Sequence, residues 1–266
     1  MRRSPKPDRE GFLSVPIFVI FVSMKLHLGI RSSLRSLGHL FIPHACAVCG
    51  RVLVEGEYLV CTACRWNMPL TNTWKDPHNP IREKLHGMFM AEQASALFYY
   101  QKQSGYDNLV HRFKYSGKAS LGYALGKWFG EELRRSGLYD DVDVIVPVPL
   151  HPFRKISRGY NQSEHVARGI GRVLGKPLQT SNLVRKVHNR SQTHHDSTDR
   201  WKNVAGIFGL RKPGALEGRH ILLVDDVLTT GATLDSCAET LRNSMENCRI
   251  SVATLAVSSK DIFGKV

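Results

Sequence analysis

The chain lacks an uninterrupted apolar run of membrane-spanning length. Its longest candidate, Gly11 to Met24 (GFLSVPIFVIFVSM), is broken by Pro16 and falls short of the ~20 predominantly apolar residues that a spanning helix requires. No integral membrane span is expected. Internal repeats and low-complexity tracts are also missing, which excludes a collagen-like or largely disordered chain. Acidic residues are scarce: 23 Asp plus Glu stand against 37 Lys plus Arg, a net charge of +14 over 266 residues. Such a surface attracts polyanions such as nucleic acid or phosphorylated substrates, and says nothing about fold. The length allows one large domain, or a large and a small one.

The six cysteines lack the even spacing of a secreted disulfide scaffold. Four fall in Cys46-Ala47-Val48-Cys49 and Cys61-Thr62-Ala63-Cys64, with eleven residues between the pairs, while Cys237 and Cys248 stand alone. Two such pairs supply four soft thiolate ligands, the set that tetrahedral zinc takes. Gly50 directly behind Cys49 suits the tight turn, since a positive φ costs glycine nothing. With every coordination position filled by protein, the expected Zn²⁺ is structural. A pair of redox dithiols is the alternative, and neither pair opens the βαβ unit that chemistry uses.

At the N-terminus, residues 1–10 are polar and basic and an apolar run follows, the layout of a secretion signal. No small-x-small cleavage site follows it, and Met24 opens MKLHLGIRSS, a natural start. Residues 1–23 therefore read as an extension without fold, and the protein as cytoplasmic. Residues 24–70 read as a helix (Ser33 to Ile42) plus the four-cysteine module, 71–90 as a linker, and 91–266 as the main domain.

Within that domain, strands are expected at Ala91 to Tyr100, Val142 to Val148, Leu183 to Arg185, Ile221 to Val224 and Ile250 to Val257. Helices are expected at Asp107 to Tyr115, Leu121 to Arg135, Gln162 to Leu174 and Thr233 to Asn247. Apolar strands alternating with amphipathic helices imply α/β, a parallel sheet covered on both faces.

The strongest chemical signal is Ile221-Leu222-Leu223-Val224-Asp225-Asp226-Val227-Leu228-Thr229-Thr230-Gly231-Ala232-Thr233. A buried strand delivers two adjacent carboxylates at its C-terminal end, where open α/β sheets bind ligands. A Thr/Gly loop leading into a helix then offers amides and hydroxyls to one phosphate. Carboxylates beside a phosphate cradle suit a sugar phosphate.

This segment resembles the thirteen-residue ribose-phosphate signature of type I phosphoribosyltransferases. The resemblance implies that Asp225 and Asp226 hold the ribose 2′- and 3′-hydroxyls of phosphoribosyl pyrophosphate, with its 5′-phosphate on Thr229, Thr230, Gly231, Ala232 and Thr233. Further segments are Pro147-Val148-Pro149-Leu150-His151-Pro152, where the pyrophosphate loop of such enzymes lies, and Arg158-Gly159-Tyr160-Asn161-Gln162. To these add Ser191-Gln192-Thr193, Asp199-Arg200-Trp201-Lys202-Asn203-Val204, and Phe113-Lys114-Tyr115-Ser116-Gly117 ahead of the sheet. Together with the four-cysteine block they resemble the ComF family of competence proteins, including its GntX-like members, from about Leu37 to Val257.

That resemblance implies a phosphoribosyltransferase-like fold and Mg²⁺ bound with the pyrophosphate. Arg158 is the candidate for the departing pyrophosphate, Lys114 a further cation, and Gln192 and Arg200 candidates for closing over the site. It also implies a role in natural transformation, with single-stranded DNA and the DNA-uptake machinery as partners. Between Leu150 and His220, 14 Lys/Arg stand against four acids, a local +10. That stretch suits a DNA groove with Tyr160 and Trp201 as stacking platforms, and equally the cations of a pyrophosphate site. A metabolic phosphoribosyltransferase with another acceptor, and a sensor that binds without turnover, remain open alternatives.

Overall fold

A computed structural model describes residues 45–100, 105–115, 119–151, 153, 156, 158–186 and 206–263, without the side chains of 114 and 115. The chain divides into two compact units, Met1–Ala45 and Cys46–Val266. The proposed extension and the 33–42 helix lie outside the described residues.

Four strands form one parallel sheet: β1 (Ala94–Tyr100), β2 (Val144–Pro147), β5 (His220–Leu228) and β6 (Arg249–Ser258), in the order β1-β6-β5-β2. β1 belongs to this sheet, so the 113–117 segment follows the first strand rather than preceding the sheet. β5 is buried among neighbours on both sides, and its Ile221–Val224 are fully buried, which is why they read as a continuous apolar run. The strand runs past Val224: Asp225 pairs with Thr254, and Leu228 with Val257. β3 (Leu183–Arg185) is not in this sheet. It pairs antiparallel with β4 (Phe208–Leu210), a strand too short for its pattern to announce.

Helices cover both faces. On one lie α4 (Ala119–Ser136) and α5 (Gln162–Leu174), preceded by α3 (Tyr106–Tyr115). Leu121, Leu125, Phe129 and Leu133 recur every fourth residue of α4 and are all buried. α5 ends where Gly175 turns into the left-handed region at φ 67°. On the other face lie α2 (Pro80–His86), α6 (Ala232–Ser244) and the β3–β4 hairpin. Two further short helices are α1 (Thr62–Trp66) and α7 (Ser259–Phe263).

The stretch 71–90, expected as a linker, is folded. Leu70 bridges Phe98, and Thr71 N–H donates to Leu97 O at 3.1 Å, so the chain lies along the edge of β1. Trp74 follows in a 3-10 turn, 2% exposed, its ring edge-on to Phe129 with centroids 5.8 Å apart. Asn79 then caps α2 by accepting from Ile81 N and Arg82 N, with Pro80 at the first helical position. Asn79 and Pro80 mark a helix start, not a linker.

A candidate ligand site at the end of the fifth strand

Asp225 and Asp226 stand near the C-terminal end of β5, each half-buried. Asp225 Oδ1 accepts from Ser163 Oγ at 2.8 Å and from the Asp226 backbone N–H at 2.8 Å. Ser163 belongs to the first turn of α5, so that helix fixes the carboxylate from across the sheet edge. Tyr100 stands at the end of β1, with β6 between it and β5. Burial first, then Asp261 and Asp226, push the Tyr100 hydroxyl above its usual range.

Beyond Leu228 the chain turns through Thr229 and Thr230, both exposed, to Gly231. Gly231 adopts φ 92° as the N-cap of α6. A Cβ there would meet Met88 Sδ at 2.9 Å, the end of a flexible side chain that can move aside, so it is the positive φ that calls for glycine. Gly231 has no side chain to cap α6, and Thr230 Oγ1 accepts from the Ala232 N–H only at a long 3.5 Å; Asp225 and Val227–Leu234 line a small concavity here. Orphan amides at a helix start, with hydroxyls beside them, are suited to a phosphate.

The 147–149 segment lies directly alongside. Pro147 pairs with Val224, and Val148 N–H donates to Val224 O at 2.8 Å. Val148 O in turn accepts from Asn161 Nδ2 at 3.0 Å. Asn161 is the N-cap residue of α5, yet its side chain makes no cap bond there; it ties the loop instead. Tyr160 acts similarly, donating its hydroxyl to Phe113 O at 2.6 Å. The two segments singled out as RGYNQ and FKYSG thus meet. Arg158 is half-buried next to them, and its charge partly offsets the burial that raises the Tyr160 hydroxyl. The Tyr160 ring lies half-buried, edge-on to His165 with centroids 5.3 Å apart, rather than open for stacking. The Lys114 side chain, Gln192, Arg200 and Trp201 lie outside the described residues.

Three residues of this neighbourhood carried no sequence signal: Ser163, Tyr100 and Arg185. Arg185, on the β3–β4 hairpin, lies over the Phe208 ring at 5.6 Å. Burial raises the buried Cys237 thiol of α6, Asp225 raises it further, and Arg185 opposes them, so hairpin, helix and β5 converge there.

The second site is the cysteine cluster. The four Sγ atoms of Cys46, Cys49, Cys61 and Cys64 all lie within 4.8 Å of one another. Gly50, at φ 75°, donates its N–H to Cys46 O at 3.0 Å and closes the first turn. Cys61 N–H donates to Cys46 Sγ at 3.3 Å, and Cys64 N–H to Cys61 Sγ at 3.4 Å. Burial pushes the Cys46 thiol up, but the N–H groups of Cys49, Cys61 and Val48 outweigh it and bring it down to about 6. Cys64 is raised, by burial first and then by its sulfur neighbours. One ready thiolate among crowded thiols is a donor set that can hold a soft metal ion.

A parallel sheet, an acid pair ending its central strand and a Thr/Gly turn into a helix define a phosphoribosyltransferase-type α/β domain. The family model described as phosphoribosyl transferase domain matches residues 156–261. The chain is 32% identical to competence protein F of Haemophilus influenzae over 139 residues, half of this chain and 60% of that one. It is 32% identical to the DNA utilization protein YhgH of Salmonella typhimurium over 136 residues, 50% of this chain and 59% of that one. With ComFC of Bacillus subtilis the identity is 27% over 240 residues, 90% of this chain and 87% of that one. The chain thus spans about 60% of the first two relatives and most of the third. It is similar to the ComF/YhgH competence proteins, and itself carries the phosphoribosyl transferase domain match and a four-cysteine cluster near its N-terminus. Among the described residues no helix is long and apolar enough to cross a membrane.

Proposed function

We propose that the protein binds Mg²⁺-phosphoribosyl pyrophosphate at the end of β5 and acts in natural competence, handling incoming single-stranded DNA in the cytoplasm. One observation carries the ligand: the Asp225–Asp226 pair beside the Thr229–Thr233 turn into α6, within the matched domain. The names of the relatives, competence proteins and a DNA utilization protein, support the DNA role.

In this reading Asp225 and Asp226 accept hydrogen bonds from the two ribose hydroxyls, and the 229–233 amides and hydroxyls hold the 5′-phosphate. Ser163, by donating to Asp225, holds that carboxylate in place. Pro147, Val148 and Pro149 back the pyrophosphate, and Arg158 neutralises it, with Lys114, Gln192 and Arg200 completing the enclosure. Mg²⁺, when bound with the ligand, supplies further neutralisation of the pyrophosphate oxygens. Transfer to an acceptor breaks the C1–O bond to pyrophosphate through an oxocarbenium-like state. The chain contributes position and charge, without a covalent step. Cys46, Cys49, Cys61 and Cys64 hold structural Zn²⁺.

Titration calorimetry of Mg²⁺-phosphoribosyl pyrophosphate tests the ligand. One site is expected, weakened at least ten-fold by Asp225→Asn. Absence of binding heat in the wild-type protein would overturn the assignment. Pyrophosphate release on adding a nucleobase or amine, with no effect of DNA, would favour the metabolic alternative.

A further inference from the structure

We infer that single-stranded DNA is held in the groove between the cysteine knuckle and α4; the inference rests on the competence reading and gives its DNA a place apart from the ligand site. The groove, about 640 Å³, has the 56–60 turn and Arg65 on one wall and Tyr123, Lys127 and Trp128 of α4 on the other. It shares no residue with the concavity at the end of β5.

Its chemistry is aromatic and cationic together. Of its lining residues, Tyr58 is 69% exposed and Tyr123 37%. The Arg65 guanidinium lies 4.9 Å above the Trp128 ring, so a planar cation–aromatic pair is already assembled. Two acids also line the groove, and both are engaged. The Glu57 carboxylate accepts from Thr62 N at 2.7 Å and Val54 N at 3.2 Å and pairs with Arg51 at 3.2 Å. Glu131 pairs with Arg134 at 2.6 Å. Arg65 and Lys127 form no ion pair among the described residues, which leaves the groove with surplus positive charge.

Open aromatic faces beside surplus cations match a polyanion whose bases are unstacked. Phosphates meet Arg65 and Lys127, and bases stack on Tyr58 and Tyr123. A duplex keeps its bases paired and presents none of those faces. A polypeptide partner would use the aromatics and leave the cations without a role. The platform first sought at Tyr160 is unsuited to this task, because its hydroxyl is bonded to Phe113 O and its ring is half-buried. The cations near that loop have a pyrophosphate to answer.

Fluorescence anisotropy with labelled oligo(dT) of roughly 16 nucleotides tests the groove, with the calorimetry above run on the same variants. The Tyr58→Ala/Tyr123→Ala double variant is expected to weaken DNA binding by roughly ten-fold or more and to leave ligand binding unchanged. Tyr58→Phe/Tyr123→Phe is expected to restore it. Lys127→Glu should flatten the dependence of affinity on salt. Wild-type DNA affinity in the alanine variant overturns the groove assignment and leaves the competence reading intact, as does an equal loss of ligand binding. Failure of the wild-type protein to bind oligo(dT) even at low salt overturns both.

Discussion

His220 shows what a single residue does here. Its ring is 1% exposed, with Nε2 2.8 Å from Ser251 Oγ and Nδ1 3.1 Å from Asp141 Oδ1. Ser, His and Asp in that order look like a hydrolytic triad, but Ser251 is fully buried and its Oγ already accepts from Gln93 N–H at 3.1 Å. The trio is a clamp between β5, β6 and the approach to β2. Burial holds His220 below its usual range, opposed by the Asp141 charge. A lowered folded value means that the unfolded chain binds the proton first. The stabilising contribution is therefore complete above the unfolded value of about 6.5 and is lost as pH falls through the folded one. Urea midpoints between pH 5 and 8 should fall on the acid side, by at most about 1.4 kcal/mol per pH unit from this group. In His220→Gln that slope should shrink; an unchanged slope assigns it elsewhere. None of this was legible in sequence, because the partners stand 31 and 79 positions away. Asp225 and Asp226 were legible because strand, acids and turn are consecutive; Ser163, which positions one of them from 62 residues off, was not.

The elements themselves divide in the same way. The helix Gln162–Leu174 and the strand Leu183–Arg185 lie where the pattern put them, since one has a clean apolar stripe and the other a bounded apolar run. β5 outran its expected end because the acids stay hydrogen-bonded in the ladder: pairing, not polarity, ends a strand. Pattern also fails to show how closely helices approach. In α4, Gly122, Gly126 and Gly130 recur every fourth residue against α5. A Cβ on Gly126 would come within 2.3 Å of Val166 O, and one on Gly169 of α5 within 2.3 Å of Tyr123 O. Both obstacles are backbone, so only separation of the helices relieves them. Gly126→Ala should therefore destabilise by about 1–3 kcal/mol, overriding the ~1 kcal/mol that Ala normally gains over Gly in a helix. Gly87→Ala is the control. A Cβ there meets only Lys84 O at 3.5 Å, with φ −68°, and should be neutral or slightly stabilising. Thermal melts that moved both variants in the same direction would contradict the packing argument.

At the scale of the molecule, the cysteine cluster is part of the main fold. Cys46, Ala47, Val48, Cys61 and Met68 share one apolar cluster with Trp74, Phe98, Phe129 and Ile145. Hydrogen bonds cross the boundary too: Tyr106 Oη donates to Cys64 O at 3.0 Å, and Arg112 Nη1 to Cys46 O at 3.2 Å. Composition suggested a small module joined to a large domain, since cysteine spacing is a local signal and a shared core is not. A metal on the four thiolates would then stabilise residues 46–266 as a unit, because its binding free energy adds to their folding. Purified protein should contain about one zinc per chain, measured by elemental analysis. Strong chelation, or Cys49→Ser, should lower the melting temperature of the sheet and helices as one transition, followed by far-UV circular dichroism and Trp fluorescence together. Ligand binding at the end of β5 should weaken with it, though no cysteine lines that site. Two separate transitions, with the second at the untreated temperature and ligand binding intact, would mean that the shared core does not couple them. The charge of +14 makes a related demand on the whole. A protein so basic gathers nucleic acid nonspecifically at low salt, so ligand and metal measurements belong on nuclease-treated protein, where the coupling between cluster and sheet can be read alone.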